Sequence, residues 1–478
     1  MNRTKIVCTL GPASCSPEVI RQLIDAGMNV ARLNFSHGTQ DEKGEVIERI
    51  RTCAREAGRS VAILQDLAGP KIRTGKIADG PVELESGQEF VLTGRQVAGD
   101  AHRVSVTYGD LAGDVSAGDT LLLSDGSLEL KVESVEKPDI RCRVVVGGEL
   151  SSSKGINLPS GSVRIPFPTE KDRDDLALGL RHGVDYVAIS FVRTAGDIDG
   201  IRKLVAEHCD RRVPLIAKIE KHESLADLDA IVDAADGVMV ARGDLGVEIP
   251  IERVPGIQKR LIHAANRKGK TVITATQMLK SMVENPRPTR AEVSDVANAV
   301  LDGTDAVMLS EESAVGDYPV ASVEMMAKVA ADIETRFPFL RSDEDVELTS
   351  PSRTADAVAR AACHMADSLS AAALITCTSS GSTTRLVAKY RPKTPILGLT
   401  PDAETYRALS LVWGVTPLML ESVDNLEGME HLVLEVASKS GRIRPGDTVV
   451  VTAGIPLNVR GRTNLIRVMD VPEAEQPQ

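Results

Sequence analysis

At 478 residues the chain has the length of about three domains of ~150 residues each. Its 42% hydrophobic and 26% charged residues are an ordinary globular balance, and with aromatics at 3% the core has to be aliphatic. A formal net charge of −12 argues against a nucleic-acid partner, whose phosphate backbone calls for a broad basic surface. Seven scattered cysteines with no CxxC pair, and histidines with no HExxH-like spacing, argue against a disulfide frame or a zinc site.

MNRTKIVCTLGP leads directly into a strand-like run with no visible signal peptide, and no stretch of 18 apolar residues offers a membrane span. The expectation is a cytoplasmic protein with no membrane partner. Eight short aliphatic runs then alternate with helical patterns: KIVCTL from Lys5, MNVARLN from Met28, VAILQDL from Val61, VDYVAISF from Val184, VPLIAKIE from Val213, DGVMVARGD from Asp236, KTVITATQ from Lys270 and DAVMLSEE from Asp305. Buried parallel strands in βαβ units have this pattern. Eight of them would close an α/β (β/α)₈ TIM barrel with its site at the strands' C-terminal ends, although a doubly wound sheet gives similar local sequence.

The barrel is assigned to residues 1–70 and 166–340. The gap between its third and fourth strands, 71–165, carries short alternating runs (VELES, HRVSVTY, TLLLS, SLELKV, IRCRVVV) broken by Gly-Asp, Asp-Gly and Gly-Gly. That is the pattern of an inserted antiparallel β domain, a small β barrel placed to act as a lid. A polar, acidic linker is expected over 341–353. A C-terminal α/β domain, 354–478, follows with AAALITCT, TPILGL, VTPLML, DTVVVTAG and NLIRVMDV as strands.

Charged residues at the ends of the barrel strands have no place in an aliphatic core. Lys218 and Glu220, two apart in IAKIEKHESL, point to one face of the fifth strand. Asp244 ends the sixth strand in VMVARGDLG, between glycines that permit close backbone approach. Glu220 and Asp244 together suit one Mg²⁺, which takes one or two carboxylates plus substrate oxygens and water. The same spacing also reads as a structural Lys–Glu ion pair. In ARLNFSHG, residues Arg32, Asn34 and Ser36 alternate onto one face, and QDLAGPKIRTG adds Asp66, Lys71 and Arg73 to the same rim. Arg32 alone reads as a solvated or barrel-closing charge; the convergence favours an anionic substrate with metal assistance. Thr276 ends the seventh strand, where its hydroxyl either packs or binds a carboxylate. GPKIRTGK lacks the spacing of a Walker A loop. In the last domain a strand runs into SSGSTT and a helix, a possible phosphate cradle or an ordinary cap.

Taken in order, ARLNFSHG, QDLAGPKIRTG, SKGINLP, AKIEKHESL, ARGDLGVEIP, TATQMLKSM, the long run from NPRPTRAEV to GDYP, and SGSTTRLVAKYRPKTPI resemble the pyruvate kinase family over essentially the whole chain. The resemblance implies transfer of phosphate from phosphoenolpyruvate to ADP, giving pyruvate and ATP, in a homotetramer activated by a phosphorylated allosteric effector. It implies that Lys218 stabilises the transferring phosphoryl group and the enolate, with Arg73 and Thr276 also catalytic and Thr276 near the carboxylate and the proton-delivery route. Glu220 and Asp244 would hold Mg²⁺ (or Mn²⁺). Arg32, Gly243, Asp244 and Thr276 would bind phosphoenolpyruvate. Asn34, His37, Arg73 and Lys154 would bind the nucleotide. Asn34, Ser36, Asp66 and the carbonyl of Leu67 match the family's potassium position.

Family members that carry Lys rather than Glu after the Gly-Pro tend not to need K⁺, so with Lys71 here K⁺ is expected not to be required. The turn Thr378, Ser379, Ser380, Gly381, Ser382 and Thr383 resembles the effector-phosphate loop. The tail after Asp470 is short, from which the extra phosphotransferase-like domain of some bacterial relatives is expected to be absent. The rival readings are another metal-dependent pyruvate or phosphoenolpyruvate barrel, a lyase or mutase, and a catalytically silent metabolite sensor.

Overall fold

The computed structural model describes residues 2–159, 161, 164–339, 353–421, 426–456 and 462–473. Eight parallel strands close a barrel: Lys5–Thr9, Val30–Asn34, Ala62–Asp66, Tyr186–Ile189, Leu215–Ile219, Gly237–Ala241, Thr271–Ala275 and Ala306–Leu309. Each neighbours the next in sequence, and Lys5–Cys8 pairs with Ala306–Leu309 to shut the ring. Six of the eight strands are buried at nearly every position, because helices cover their outer face while their inner side chains fill the bore. All eight runs read as strands from the sequence lie in this ring. The helices between them start where the sequence supplies caps, as at Thr39 with Glu42, Thr169 with Asp172 and Thr289 with Glu292.

Between the third and fourth barrel strands the chain builds a separate six-stranded sheet and a two-stranded ribbon around their own core, which includes Phe90, Leu92, Leu121, Leu130 and Ile140. The sheet is antiparallel except where Glu89–Thr93 pairs with Arg103–Ser105. The segment Arg73–Gly75 joins the sheet's two outer strands, Arg73 bridging Gly155 beside Ile156–Asn157 and Thr74 bridging Val106 beside Arg103–Ser105, which rounds it into the small barrel expected. Strands Glu89–Thr93, Gly148–Leu150 and Ile156–Asn157 are not among the runs that the sequence pattern marks.

The expected linker lies outside the described residues except for Arg353, which opens the helix Arg353–Ser368. The C-terminal sheet has the order Val415–Met419, Ile396–Thr400, Ala373–Cys377, Thr448–Ala453, Leu465–Asp470, with only the last strand antiparallel. This domain docks on the floor of the barrel. Ala408 and Leu411 join the cluster of inward-facing barrel residues that includes Val7, Leu64, Tyr186 and Met239. The Lys5 ammonium donates to the Val415 carbonyl at 2.6 Å, the Tyr186 hydroxyl to the Ala408 carbonyl at 2.6 Å, and Arg407 pairs with Asp185 at 2.8 Å. Beside these contacts Trp413 packs against Phe337 and Phe339, with the Arg391 guanidinium 4.6 Å from its ring.

Candidate active site

A polar network spans the C-terminal ends of the barrel strands, where the aliphatic bore stops. At the end of the fifth strand the Lys218 ammonium donates to the Ser190 hydroxyl at 2.7 Å and lies 2.9 Å from Glu220 Oε1 and 3.2 Å from Asp66 Oδ1. Arg32, from the second strand, donates through Nε to Asp66 Oδ2 at 2.7 Å and through Nη1 to the Thr9 hydroxyl at 2.9 Å. Ser190 in turn donates to the Leu67 carbonyl at 2.7 Å, and Glu220 Oε2 accepts the Phe191 N–H at 2.8 Å. The ends of the first five strands therefore fix two cations and two carboxylates in one connected set of contacts. Asp66 and Glu220 are each 1% exposed at the side chain, and Lys218 and Arg32 each 11%.

Burial alone would raise the Asp66 carboxyl, but Lys218 and Arg32 outweigh it and hold Asp66 below the usual carboxylate range. Burial also works against the Lys218 ammonium, yet Asp66 and Glu220 overcome it and raise Lys218 above its ordinary value. Lys218 is thus a permanent cation. Glu220 behaves differently: burial raises its carboxyl, Lys218 opposes the rise, and Asp244 adds to it. A carboxylate under that load is a natural seat for a further cation. Glu220 and Asp244 offer two hard oxygen donors, and Mg²⁺ accepts one or two carboxylates with substrate oxygens and water completing its shell. The donor set fits a divalent ion of that kind.

The loop after the seventh strand carries Thr276 and Gln277 at positive φ, +66° and +55°, an uncommon backbone for non-glycine residues and worth about 1–3 kcal/mol each. Arg242 supports it, donating to the carbonyls of Ala275 at 3.0 Å and Thr276 at 2.7 Å while pairing with Asp295 at 2.7 Å. The Thr276 hydroxyl accepts the Gly243 N–H at 2.8 Å and donates to the Ala275 carbonyl at 2.6 Å. The three atoms nearest a Cβ on Gly243 all belong to Thr276, at ordinary contact distances of 3.5–3.6 Å, so packing does not demand the glycine. Its missing side chain leaves the mouth open beside Asp244.

On the side of the inserted domain, the Lys71 ammonium lies 3.1 Å from Asp244 Oδ1 and 3.9 Å from Asp125. It does not pair with Asp66, whose oxygens go to Arg32, Lys218 and Ser190. Of the potassium-position residues, Asn34 Oδ1 accepts the Ser36 N–H at 3.0 Å, and the Leu67 carbonyl accepts Ser190. Arg73 and Lys154 sit on adjoining segments: Arg73 bridges to Gly155 and donates to the Ser153 carbonyl at 3.1 Å, while Lys154 is exposed. His37 lies by a cleft over Phe35, Lys43 and Lys171. Burial, then Arg73, Lys43, Arg32 and Lys71, push its imidazole down, which registers the positive field at this mouth.

Far from the mouth, the 378–383 turn leads into the helix Ser382–Lys389. Gly381 takes φ +79°, its N–H donates to the Thr378 hydroxyl at 2.9 Å, Ser380 bonds Ser382 at 3.2 Å and Thr383 bonds Thr463 at 2.7 Å. The turn is preorganised, with hydroxyls and the helix start together.

Sequence reasoning passed over Thr9, Ser190 and Arg242. Thr9 ends the first strand, and Ser190 and Arg242 immediately follow the fourth and the sixth, so the rule that singled out Thr276 would have found them.

Comparison with known proteins agrees with this architecture. The family model described as pyruvate kinase, barrel domain, matches residues 1–323, and that described as pyruvate kinase, alpha/beta domain, matches 356–469. The chain is 49% identical over 470 residues to a pyruvate kinase of Geobacillus stearothermophilus, covering 98% of this chain and 80% of the relative. It is 50% identical over 472 residues to a Synechocystis protein named pyruvate kinase 2, covering 98% and 79%. A pyruvate kinase of Clostridium acetobutylicum is 43% identical over 472 residues, covering 98% of this chain and all of the relative.

Proposed function

The chain belongs to the pyruvate kinase family, and from that premise we propose that it transfers the phosphoryl group of phosphoenolpyruvate to ADP at the mouth of the barrel. The observation that carries the reading is the buried Lys218–Asp66–Arg32 network beside Glu220, with Lys71 reaching Asp244 from the inserted domain. Two anionic substrates repel each other, so the protein's contribution to phosphoryl transfer is positioning and electrostatic stabilisation. Arg32 and Lys218 hold positive charge where the phosphate and enol oxygen of phosphoenolpyruvate would lie. Glu220 and Asp244 would hold Mg²⁺ (or Mn²⁺), which when bound polarises phosphoryl oxygens and offsets their charge.

In the reaction an oxygen of the ADP terminal phosphate forms a bond to phosphorus as the bond from phosphorus to the enol oxygen breaks. The electron pair stays on that oxygen as an enolate, which Lys218 stabilises. A proton then adds to the methylene carbon, giving pyruvate, and on this reading Thr276 serves the route by which it arrives. Thr276, its hydroxyl held by the Gly243 N–H, stands at the carboxylate end. Arg73, His37, Lys154 and Asn34 serve the nucleotide, with segment 71–165 closing as a lid to exclude water. Lys71, a tethered ammonium on Asp244, supplies a fixed positive charge at the rim, and on this reading K⁺ is not required. The 378–383 turn takes the phosphate of an activating metabolite, and the active form is a cytoplasmic homotetramer.

The test is ATP formation from phosphoenolpyruvate, ADP and Mg²⁺ by the purified chain. Activity dependent on all three supports the reading; a protein that binds phosphoenolpyruvate yet makes no ATP refutes it and returns the lyase, mutase or sensor alternatives.

A further inference from the structure

Past the fifth barrel strand, Lys221, His222 and Glu223 follow Glu220 directly, and Glu248 closes the helix Arg242–Glu248 that follows the sixth. His222 Nδ1 lies 3.2 Å from Glu223 Oε2 and 3.2 Å from Glu248 Oε2, and one donor atom from each of the three residues falls within 4.8 Å of the other two. Among the described residues no other three histidine, cysteine or carboxylate side chains converge in this way. Glu248 is fully buried at the side chain, and its other oxygen, Oε1, accepts from Lys221 at 2.8 Å and from Asn157 of the inserted domain at 2.9 Å.

Glu223 is the anomaly. Both of its oxygens are buried, and neither accepts a hydrogen bond among the described residues. A buried acceptor without a donor is costly, most of all on a carboxylate. Lys221 is committed to Glu248, so two carboxylates share one ammonium and a further cation would offset the excess. Zinc binds imidazole nitrogen and carboxylate oxygen at about 2.0–2.2 Å, and donors placed tetrahedrally at that distance stand about 3.3–3.6 Å apart. The two separations of 3.2 Å come close to that edge. An ion seated there lies between the donor atoms themselves and asks for no void of water size. Glu223 and Glu248 also line a cavity, shared with Lys71 and Phe191, that has about 40 Å³ of room for the centres of water-sized atoms. One water needs roughly 10–15 Å³ on the same measure, so the cavity can furnish a fourth ligand. The side chains of His222 and Glu223 are 33% and 22% exposed, which gives the ion a way in. The imidazole sets the preference: nitrogen suits Zn²⁺, whereas Mg²⁺ favours oxygen and keeps its waters.

We propose that His222, Glu223 and Glu248 form a three-ligand site for a zinc-class divalent ion, with water as the fourth ligand, separate from the Glu220–Asp244 pair that suits Mg²⁺. Because Glu248 also holds Asn157, the ion fastens the foot of the inserted domain to the barrel. The site is built without substrate and stands independently of the reaction proposed above.

Zn²⁺ is the probe, titrated calorimetrically into the full chain with Mg²⁺ in large excess to fill the mouth. The wild type is expected to take up one Zn²⁺ per chain under these conditions. H222Q and E223Q should each weaken that uptake by tenfold or more, and the mouth variant E220Q should keep it. Glu248 is left unchanged, because its loss would strand Lys221 and Asn157. Wild-type affinity in either H222Q or E223Q places the ion elsewhere and overturns the proposal. Loss of uptake in E220Q assigns the zinc to the mouth and overturns it too, as does a wild type that binds no Zn²⁺ in the presence of Mg²⁺. A thermal melt checks that each variant is folded. Should H222Q melt early, E223Q decides alone: a tenfold loss of affinity supports the site, and wild-type affinity overturns it.

Discussion

Replacing Lys218 by Met removes one positive charge and leaves a side chain of similar length. Its ammonium has three contacts, at 2.7 Å to Ser190, 2.9 Å to Glu220 and 3.2 Å to Asp66. Loss of one preorganised group aimed at developing charge costs on the order of 10²–10³ in kcat, roughly 2.7–4 kcal/mol. The lower end would hold if Lys218 merely neutralised its neighbours, because Arg32 still covers Asp66. The upper end is expected here, since enolate and phosphoryl charge both fall to Lys218. Stability changes too. Breaking a buried pair typically costs about 3–5 kcal/mol, but Asp66 keeps Arg32 and Glu220 keeps the Phe191 N–H, so the loss should fall below that range. Pyruvate release, followed by its NADH-dependent reduction in a coupled assay, gives kcat, and a thermal melt reports the fold. A variant that melts near the wild type and retains kcat within tenfold would refute the reasoning, leaving Lys218 as half of a structural ion pair.

Glu220→Gln and Asp244→Asn should each raise the Mg²⁺ concentration for half-maximal activity by at least tenfold, because an amide oxygen is a poorer ligand for a hard cation; Mg²⁺ titration of the rate checks this. Lys71→Glu should create a dependence on K⁺ of tenfold or more, measured with a bulky organic ammonium as the only other monovalent cation, while the wild type should gain less than that from K⁺. Ser380, Ser382 and Thr383 changed together to Ala should abolish activation by a phosphorylated metabolite and leave the maximal rate within twofold, since coupling needs the effector to bind the two states differently. Ser190→Ala, which removes a charge-assisted hydrogen bond worth about 1.5–3 kcal/mol, should lower kcat by roughly ten- to a hundredfold with little change in the KM for ADP.

The barrel was legible because six of its eight strands are buried at nearly every position and read as short aliphatic runs, as in GVMVA and the AIL of AILQD. The inserted sheet was only partly legible. Glu89–Thr93 lies between polar turns and pairs on both sides, but its five residues alternate too briefly to stand out, and Ile156–Asn157 is a strand of two residues whose pairing is set by its partner. Likewise the residue types at the mouth were readable, since lysine, arginine and carboxylates at strand ends have no packing role. Their partners were not. Sequence placed Lys71 near Asp66, whereas the ammonium reaches Asp244, because the inserted domain brings Lys71 over the sixth strand's end. Nor does any local pattern reveal that Arg391 enters the barrel floor, which depends on how two domains pack.

The aromatic cluster at that floor has a spectroscopic consequence. Trp413 is the chain's one tryptophan, 1% exposed and wedged between Phe337, Phe339 and Arg391. All indole fluorescence therefore originates at the contact between barrel and C-terminal domain. Opening of that contact would hydrate the ring and move its emission to longer wavelength while the barrel's helices stayed intact. Recorded beside circular dichroism, the emission separates domain release from unfolding without any label.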